Sequence, residues 1–202
     1  MAVALSDGYM QTALGQSNDG ERILSCCHVL WGHETPITCL DLSPDLDVAV
    51  SGSANGLVCV HSIRRGDFIR SFRPPCEENV AVSRIALDTY GRMVVHMEDH
   101  SLHTYTVNAR RLCSIDAGER LHDIKITEEM VVTGGDQCHV HIRSLTTLKV
   151  LSLLDLSRHG PIRCIAFTPA DLNPATQYLF IGSDDGMITV VDKQDEVKLT
   201  KE

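Results

Sequence analysis

One short motif recurs along the chain and restricts its possible folds more than any other feature: a polar turn residue, usually beside Gly, between two short apolar runs. Copies centre on Asp7, Asn55, Asp99, Gln137 and Asp185, at intervals of 38 to 48 residues. A polar side chain suits a tight turn because it accepts hydrogen bonds from nearby backbone N–H groups, and Gly tolerates positive φ. The flanking runs are rich in β-branched residues, and helical periodicity is nowhere sustained, so the pattern predicts repeated antiparallel strands.

A second internal match precedes two of these turns. The nine residues from Pro36 to Pro44 resemble the nine from Pro161 to Pro169, with Ile and Cys at the same places. Period-two alternation predicts that Ile37 and Cys39 share one face of their strand, as do Ile162 and Cys164. Because both faces of these strands are mostly apolar, we expect each sheet to be sandwiched between two neighbours.

The repeat length and strand pattern together predict an all-β fold, a partial β-propeller. Residues 1–30 are expected to form a truncated first blade with strands near 2–5, 9–13 and 23–30, lacking its innermost strand. Residues 31–202 are expected to form four full four-stranded blades, near 36–73, 82–115, 121–153 and 161–199. Because such a set has an unpaired edge and too few blades for the usual ring, we expect the chain to be a fragment of a longer protein.

Charge and cysteine usage narrow the partners and the compartment. The chain has 18 basic and 27 acidic residues, a net charge of −9, which opposes binding to nucleic acid. Its eight cysteines are scattered, several within apolar runs, as expected of reduced thiols that pack like small apolar residues. The apolar stretch from Met1 to Leu5 is too short for a signal peptide. These features predict a cytoplasmic protein.

The best-preserved repeat resembles a WD40 repeat. It has Gly32-His33, an inner strand ending at Ser43-Pro44, and a Ser-Gly-Ser turn from Ser51. The resemblance implies a structural hydrogen-bond network within each blade. The residues expected to form it are His33, Ser51, Asn55, Asp99, Thr133 and Asp185. The Trp of such repeats is replaced throughout, by Ala13, His61, Tyr105, Arg143 and Val191.

A longer string, above all residues 23–75 and ending in Arg73-Pro74-Pro75, is similar to the C-terminal propeller of BEACH-domain proteins of the neurobeachin and beige-like anchor group. That resemblance implies a non-catalytic scaffold for vesicle and membrane traffic, in which the propeller binds other proteins. It also implies peripheral association with endomembranes through the full-length protein. The BEACH and PH-like modules of that group are not within these residues.

A lipid-binding alternative rests on Arg64-Arg65-Gly66, which resembles the Arg-Arg-Gly signature of phosphoinositide-binding propellers. Paired guanidinium groups grip phosphate oxygens through charge-assisted hydrogen bonds. Arg70, Arg73 and Arg84 would extend the patch. The competing interpretation is a solvated turn between two strands.

No motif predicts a metal, a cofactor or catalysis. His139 and His141 would share one face of a strand, but no third ligand is spaced to complete a metal site. Phosphate-cradling loops and zinc-protease helices are missing from the sequence, and Ala54 stands where a nucleophile elbow would need its nucleophile. The sequence therefore predicts a protein that is not an enzyme.

Overall fold

The computed structural model describes residues 14–16, 22–24, 26–75, 80–127, 129–168 and 178–192. All regular secondary structure in these residues is β-strand. The strands are β1 Leu14–Gln16, β2 Arg22–Leu24, β3 Ile37–Ser43, β4 Val48–Ser53, β5 Val58–Ser62, β6 Phe68–Phe72, β7 Val82–Leu87, β8 Arg92–Met97, β9 Ser101–Thr106, β10 Arg111–Asp116, β11 Leu121–Thr127, β12 Met130–Gly135, β13 His139–Ser144, β14 Val150–Asp155, β15 Ile162–Phe167, β16 Tyr178–Ser183 and β17 Ile188–Asp192.

The strands form consecutive antiparallel sheets, each a meander in chain order. Strands β3 to β6 make the first four-stranded sheet, β7 to β10 the second, β11 to β14 the third, and β15 to β17 the fourth, in which three strands are described. A separate pair, β1 with β2, precedes them. In the described residues the sheets do not close into a ring, so the predicted all-β, partial propeller is confirmed. The same residues hold no helix long and apolar enough to span a bilayer.

Three apolar cores lie between successive sheets. Val50 and Val60 of the first sheet pack against the second, and Val94 and Leu102 of the second pack against the third. The third core joins Val132, Val140 and Ile142 of the third sheet to Ile162 and Ile181 of the fourth. Neighbouring residues on β8 point to different cores, as strand alternation requires. Each internal sheet is therefore apolar on both faces, as expected for stacked blades.

The first strand of each sheet contains a β-bulge, which corrects one prediction. In β3 the register shifts between Ile37 and Cys39, and in β15 it shifts between Ile162 and Cys164. The extra residue of a bulge interrupts alternation, so side chains two positions apart no longer share a face. Ile162 is accordingly buried while Cys164 is exposed. The expected pairing of these Ile and Cys side chains on one face is wrong.

The start of the chain differs from the prediction where it is described. The expected strand at 23–30 is only Arg22–Leu24, and residues 26–29 carry no strand. This segment instead crosses the first sheet, where His28 Nε2 lies 3.0 Å from the carbonyl oxygen of Arg64. The expected strands at 2–5 and 9–13, the turn at Asp7, Ala13, Pro169 and the end of the last blade lie outside the described residues.

The cysteines are less uniformly buried than their apolar surroundings suggested. Cys59 is buried, as expected, whereas Cys26, Cys27 and Cys164 are exposed. Cys164 is exposed because it lies on the face of the fourth sheet that also carries the exposed Ile188, whereas its counterpart Cys39 packs against the second sheet. Cys76 lies outside the described residues.

Candidate interaction surface

The recurrent polar turns lie at one end of the stacked sheets, which we call the turn face. Asn55, Asp99, Gln137 and Asp185 are each the second residue after the second strand of their sheet. The first strand of each sheet begins at the same end, since Ile37 pairs with Ser53 and Ile162 with Ser183. The turn face is therefore built from the same two structural elements in every blade.

In the first sheet a neutral histidine ties the incoming loop to the sheet. His33 Nε2 lies 2.8 Å from Ser51 Oγ, and Ser51 is buried. Burial lowers the pKa of His33, which favours the uncharged ring. In the adjoining turn, Asn55 Oδ1 accepts hydrogen bonds from Ser53 Oγ at 2.8 Å and from the backbone N–H of Leu57 at 3.2 Å. The structure thus joins His33 to Ser51 and places Asn55 in a separate set of contacts in the adjoining turn.

His61 occupies a Trp position of the resembled repeat, and its ring still donates a hydrogen bond. Its Nε2 lies 2.8 Å from the carbonyl oxygen of Trp31, which can only accept. The same ring meets Phe68 edge-on, with centroids 5.6 Å apart. In the second sheet the equivalent Tyr105 is buried against Phe72. Other rings therefore fill the space of the missing Trp in these two blades.

The second sheet carries a relay of hydrogen bonds from the turn face to its outer strand. Asp99 Oδ1 accepts from both the backbone N–H and the Oγ of Ser101, at 2.9 and 2.5 Å. Because the Ser101 hydroxyl proton is committed to Asp99, His103 Nε2, 2.9 Å away, donates to Ser101 Oγ. His103 Nδ1 then accepts from Ser114 Oγ at 2.9 Å. Burial lowers the pKa of His103, consistent with this neutral tautomer.

In the third blade, Glu119 precedes the inner strand as His33 does in the first blade, and the sequence did not predict its role. Glu119 is buried, and its Oε2 accepts a hydrogen bond from the backbone N–H of Gln137 at 2.7 Å. Its Oε1 lies 3.6 Å from His141 Nδ1, and the buried Arg143 lies nearby. Burial raises the pKa of Glu119. The sequence feature that could have identified Glu119 is the pair Gly118-Glu119, which precedes its inner strand as Gly32-His33 precedes β3.

Thr133, expected in this network, makes only a long contact. Its Oγ1 lies 3.5 Å from the backbone oxygen of His141, although the side chain is fully buried. It occupies the position in β12 that Ser51 occupies in β4. Thr133 therefore occupies the same place in its blade as Ser51, but it does not form the short side-chain hydrogen bond of Ser51.

Charged side chains join the third and fourth sheets across the turn face. Arg163 binds Asp184 through two hydrogen bonds of 2.9 Å, and these bonds lower the pKa of Asp184. His122 Nε2 lies 2.7 Å from Asp136 Oδ1 and 3.2 Å from Arg163 Nη1. Asp185 accepts from the backbone N–H of Met187 at 3.0 Å and meets His159 at 3.1 Å. This part of the turn face is charged and exposed.

A cavity of about 470 Å³ lies between the first strands of the first three sheets, and we call it the channel cavity. Two carboxylates in its wall link successive blades. Asp41 accepts backbone N–H bonds from Leu42 in its own strand and Leu87 in the next sheet, at 2.9 and 2.6 Å. Asp123 does the same with Ile124 and Ile165, at 2.9 and 2.7 Å. These bonds fix the inner strands relative to one another.

The arginines expected to form one patch lie at separate places, and Arg84 lines the channel cavity. Arg64 and Arg65 are exposed in the turn between β5 and β6, at the end opposite the turn face, and Arg65 lies 3.6 Å from Asp67. Arg70 donates to the carbonyl oxygen of Asn108 in the second sheet at 2.8 Å. Arg73 follows the other end of β6, roughly 16 Å along a five-residue strand. Only Arg64 and Arg65 remain side by side.

His139 and His141 share a strand face, with ring centroids 6.3 Å apart. Across the described residues, no group of three or more His, Cys, Asp or Glu side chains is arranged to hold a metal ion. His139 Nε2 lies 3.5 Å from Asp155 Oδ1, and His141 faces Glu119. Each ring therefore lies beside a carboxylate, and His141 Nδ1 forms no hydrogen bond within the described residues.

Comparisons with known proteins agree with this β-propeller architecture. The neurobeachin β-propeller domain model matches residues 10–198. BEACH domain-containing protein B of Arabidopsis thaliana is 39% identical over 127 residues, which cover 61% of this chain and 5% of that protein. BEACH domain-containing protein lvsE of Dictyostelium discoideum is 27% identical over 178 residues, covering 80% of this chain and 8% of that protein. The chain therefore spans less than a tenth of the length of either relative.

Solved structures show the same fold at low identity. The computationally designed Ika4 protein superposes with a TM-score of 0.66 at 19% identity, covering 82% of this chain and 96% of that one. BBS1N, solved in complex with ARL6DN, superposes with a TM-score of 0.68 at 16% identity, covering 86% of this chain and 56% of that one. With the family match across most of its length, the chain belongs to the neurobeachin β-propeller domain family.

Proposed function

We propose that this propeller segment is a non-catalytic protein-binding surface within a large cytoplasmic scaffold of vesicle and membrane traffic. Membership of the neurobeachin propeller family supports the scaffold role, since its relatives are BEACH-domain proteins many times longer than this chain. The partners are other proteins, and any membrane association is peripheral and runs through the full-length protein.

The observation that carries the proposal is the construction of the turn face. Its turns sit at equivalent places in four successive sheets, and each is held by side chains bonded to backbone or to buried groups. A surface fixed before binding loses little conformational entropy when a partner docks. Exposed charges such as Asp136 and Arg163 then supply specificity more than affinity.

A matched pair of charge reversals in the full-length protein tests this proposal. Glu98→Lys changes an exposed acid on the turn face, and Asp45→Lys makes the same change at the opposite end of the sheets. Crosslinking mass spectrometry in cells should show protein crosslinks to the turn face, reduced by Glu98→Lys and unchanged by Asp45→Lys. Crosslinks that survive Glu98→Lys and disappear with Asp45→Lys would contradict the assignment of this face.

Lipid binding is the second candidate, favoured by the exposed neighbours Arg64 and Arg65. Flotation of the chain with vesicles containing phosphatidylinositol 4-phosphate separates it from the first proposal. A lipid reader would float with these vesicles, and Arg64→Ala with Arg65→Ala would abolish flotation. We expect no difference between the double variant and the wild type, because Arg70 and Arg73 do not join the pair.

A further inference from the structure

The charged side chains in the wall of the channel cavity include cationic donors without a full set of acceptors. Arg84 donates from Nε to the carbonyl oxygen of His122 and from Nη1 to that of Ser83, both at 2.7 Å. An Arg side chain has five N–H groups, so most of the guanidinium donors of Arg84 find no acceptor among the described residues. The Lys125 ammonium contacts only Asp123 in that part of the chain, at 3.5 Å.

The carboxylate acceptors in the same wall are already engaged. Each carboxylate oxygen of Asp41 and of Asp123 receives a backbone N–H bond, as described above. Burial raises the pKa of Cys39 to about 11, so this thiol is neutral and adds no negative charge. The Thr38 hydroxyl donates to the carbonyl oxygen of Val82. Among the side chains of the cavity, the unmet chemistry is therefore cationic N–H donation.

We infer that the channel cavity binds a carboxylate of a protein partner, an Asp or Glu side chain on a short segment, through Arg84 and Lys125. This inference rests on the proposed protein-binding function and names the chemistry of one contact. A volume of about 470 Å³ is within the range of ligand sites, and it admits a few residues of a loop. A single negative charge is favoured over a phosphate dianion because Asp41 and Asp123 lie in the same wall.

The occupant must enter between inner strands that are already rigid. Asp41 joins the first sheet to the second, Arg84 joins the second to the third, and Asp123 joins the third to the fourth. Donors held in place by such bonds do not reorganise on binding, which favours a specific site over general charge attraction. Lys125 is half-exposed and is the more adaptable of the two cations.

An NMR titration of the 202-residue chain, at a concentration where light scattering shows a monomer, tests the inference with three probes. They are acetyl-Gly-Ser-Glu-Ser-Gly-amide, its twin with Gln in place of Glu, and inorganic phosphate. The Glu peptide should shift backbone amides of β7 and β11 in a saturable manner, with an affinity at least about ten-fold above that of the Gln peptide. Equal binding of the two peptides, or tighter binding of phosphate, would overturn the inference.

Two lysine variants provide the matched control. Lys125→Met removes the cavity ammonium, and Lys149→Met removes an exposed lysine beside β14, outside the cavity. We expect Lys125→Met to weaken Glu-peptide binding about ten-fold and Lys149→Met to leave it within about two-fold. Equal effects of the two variants would show a nonspecific charge attraction. Arg84→Lys, which keeps the charge and loses the fork, should weaken binding by a similar factor at an unchanged fold.

Lys125→Met in the full-length protein, compared there with Glu98→Lys, separates failure of this inference from failure of the proposed function. If Glu98→Lys removes the crosslinked partners and Lys125→Met does not, the turn face binds proteins and the cavity contact is wrong. If neither variant changes any crosslink, the proposed protein-binding function of this face fails. Loss with both variants supports both.

Discussion

The second and fourth sheets have equivalent residues in unlike surroundings. In the second sheet, Val94, Leu102 and Thr104 face the third sheet and are fully buried. The equivalent residues of the fourth sheet, fixed by strand register, are Phe180, Ile188 and Val190, which are 38%, 70% and 53% exposed. The sequence of each strand gives both sheets apolar faces. A face becomes buried only where a neighbouring sheet packs against it, as in the second sheet.

The first and third sheets behave like the second. Their equivalent side chains are Val50, Val58 and Val60 in one and Val132, Val140 and Ile142 in the other, each at most 3% exposed. Large apolar side chains that remain in contact with water are a liability unless something covers them. We therefore propose that this face of the fourth sheet is a packing surface for another sheet.

The largest expected effect comes from placing one charge at the two equivalent positions. Val94→Asp buries a carboxylate between two sheets and should lower the free energy of unfolding by more than about 4 kcal/mol. Phe180→Asp, on the uncovered face, should change it by about 1 kcal/mol or less. Urea unfolding followed by circular dichroism measures both. Similar losses for the two variants would break the comparison.

Acidification sharpens the same comparison at His96, which faces the third sheet. The equivalent residues of the first and third sheets are Gly52 and Gly134. His96 is fully buried beside Ser83, and burial lowers its pKa to about 4. The unfolded ring, with a pKa near 6.5, binds a proton first as pH falls. Stability is therefore complete above about pH 6.5 and falls by about 3 kcal/mol as pH decreases through 4.

A neutral replacement isolates this contribution from those of the other buried histidines. His96→Gln should remove most of the slope of unfolding free energy against pH between 6.5 and 4, measured by urea titrations at several pH values. An unchanged slope in the variant would assign the acid sensitivity to other groups, such as His103 and His141, whose pKa values burial also lowers.

A smaller effect is expected at the first sheet, where a loop covers the face that the sheet turns away from the second. His33→Ala removes the bond to Ser51 and leaves a buried hydroxyl unpaired, which should cost about 1 to 3 kcal/mol. The thermal midpoint of the variant, compared with that of Glu34→Ala as an exposed neighbour, gives the size of the effect. A midpoint equal to that of the wild type would show that the bond adds nothing.

The repeat could be read from sequence because it is local. A polar residue before an apolar strand marks a turn wherever it occurs, and so Asn55, Asp99, Gln137 and Asp185 mark equivalent turns. The bulges could not be read, since a bulge is a property of two paired strands. Glu119 was missed because an acid in place of a His makes sense only once its burial beside His141 and Arg143 is known. Arg64 and Arg73 lie at opposite ends of β6, because residues close in sequence can be separated by the length of a strand.

The measurement that tests the central claim most directly is the solution mass of the chain. Size-exclusion chromatography with light scattering, run over a range of concentrations, should show that the wild type self-associates through its uncovered face. The double variant Phe180→Ser with Val190→Ser should be monomeric at the same concentrations, with nearly unchanged circular dichroism. A wild-type chain that remains a compact monomer on dilution and concentration alike would contradict the claim that the fourth sheet is built to be covered on both faces.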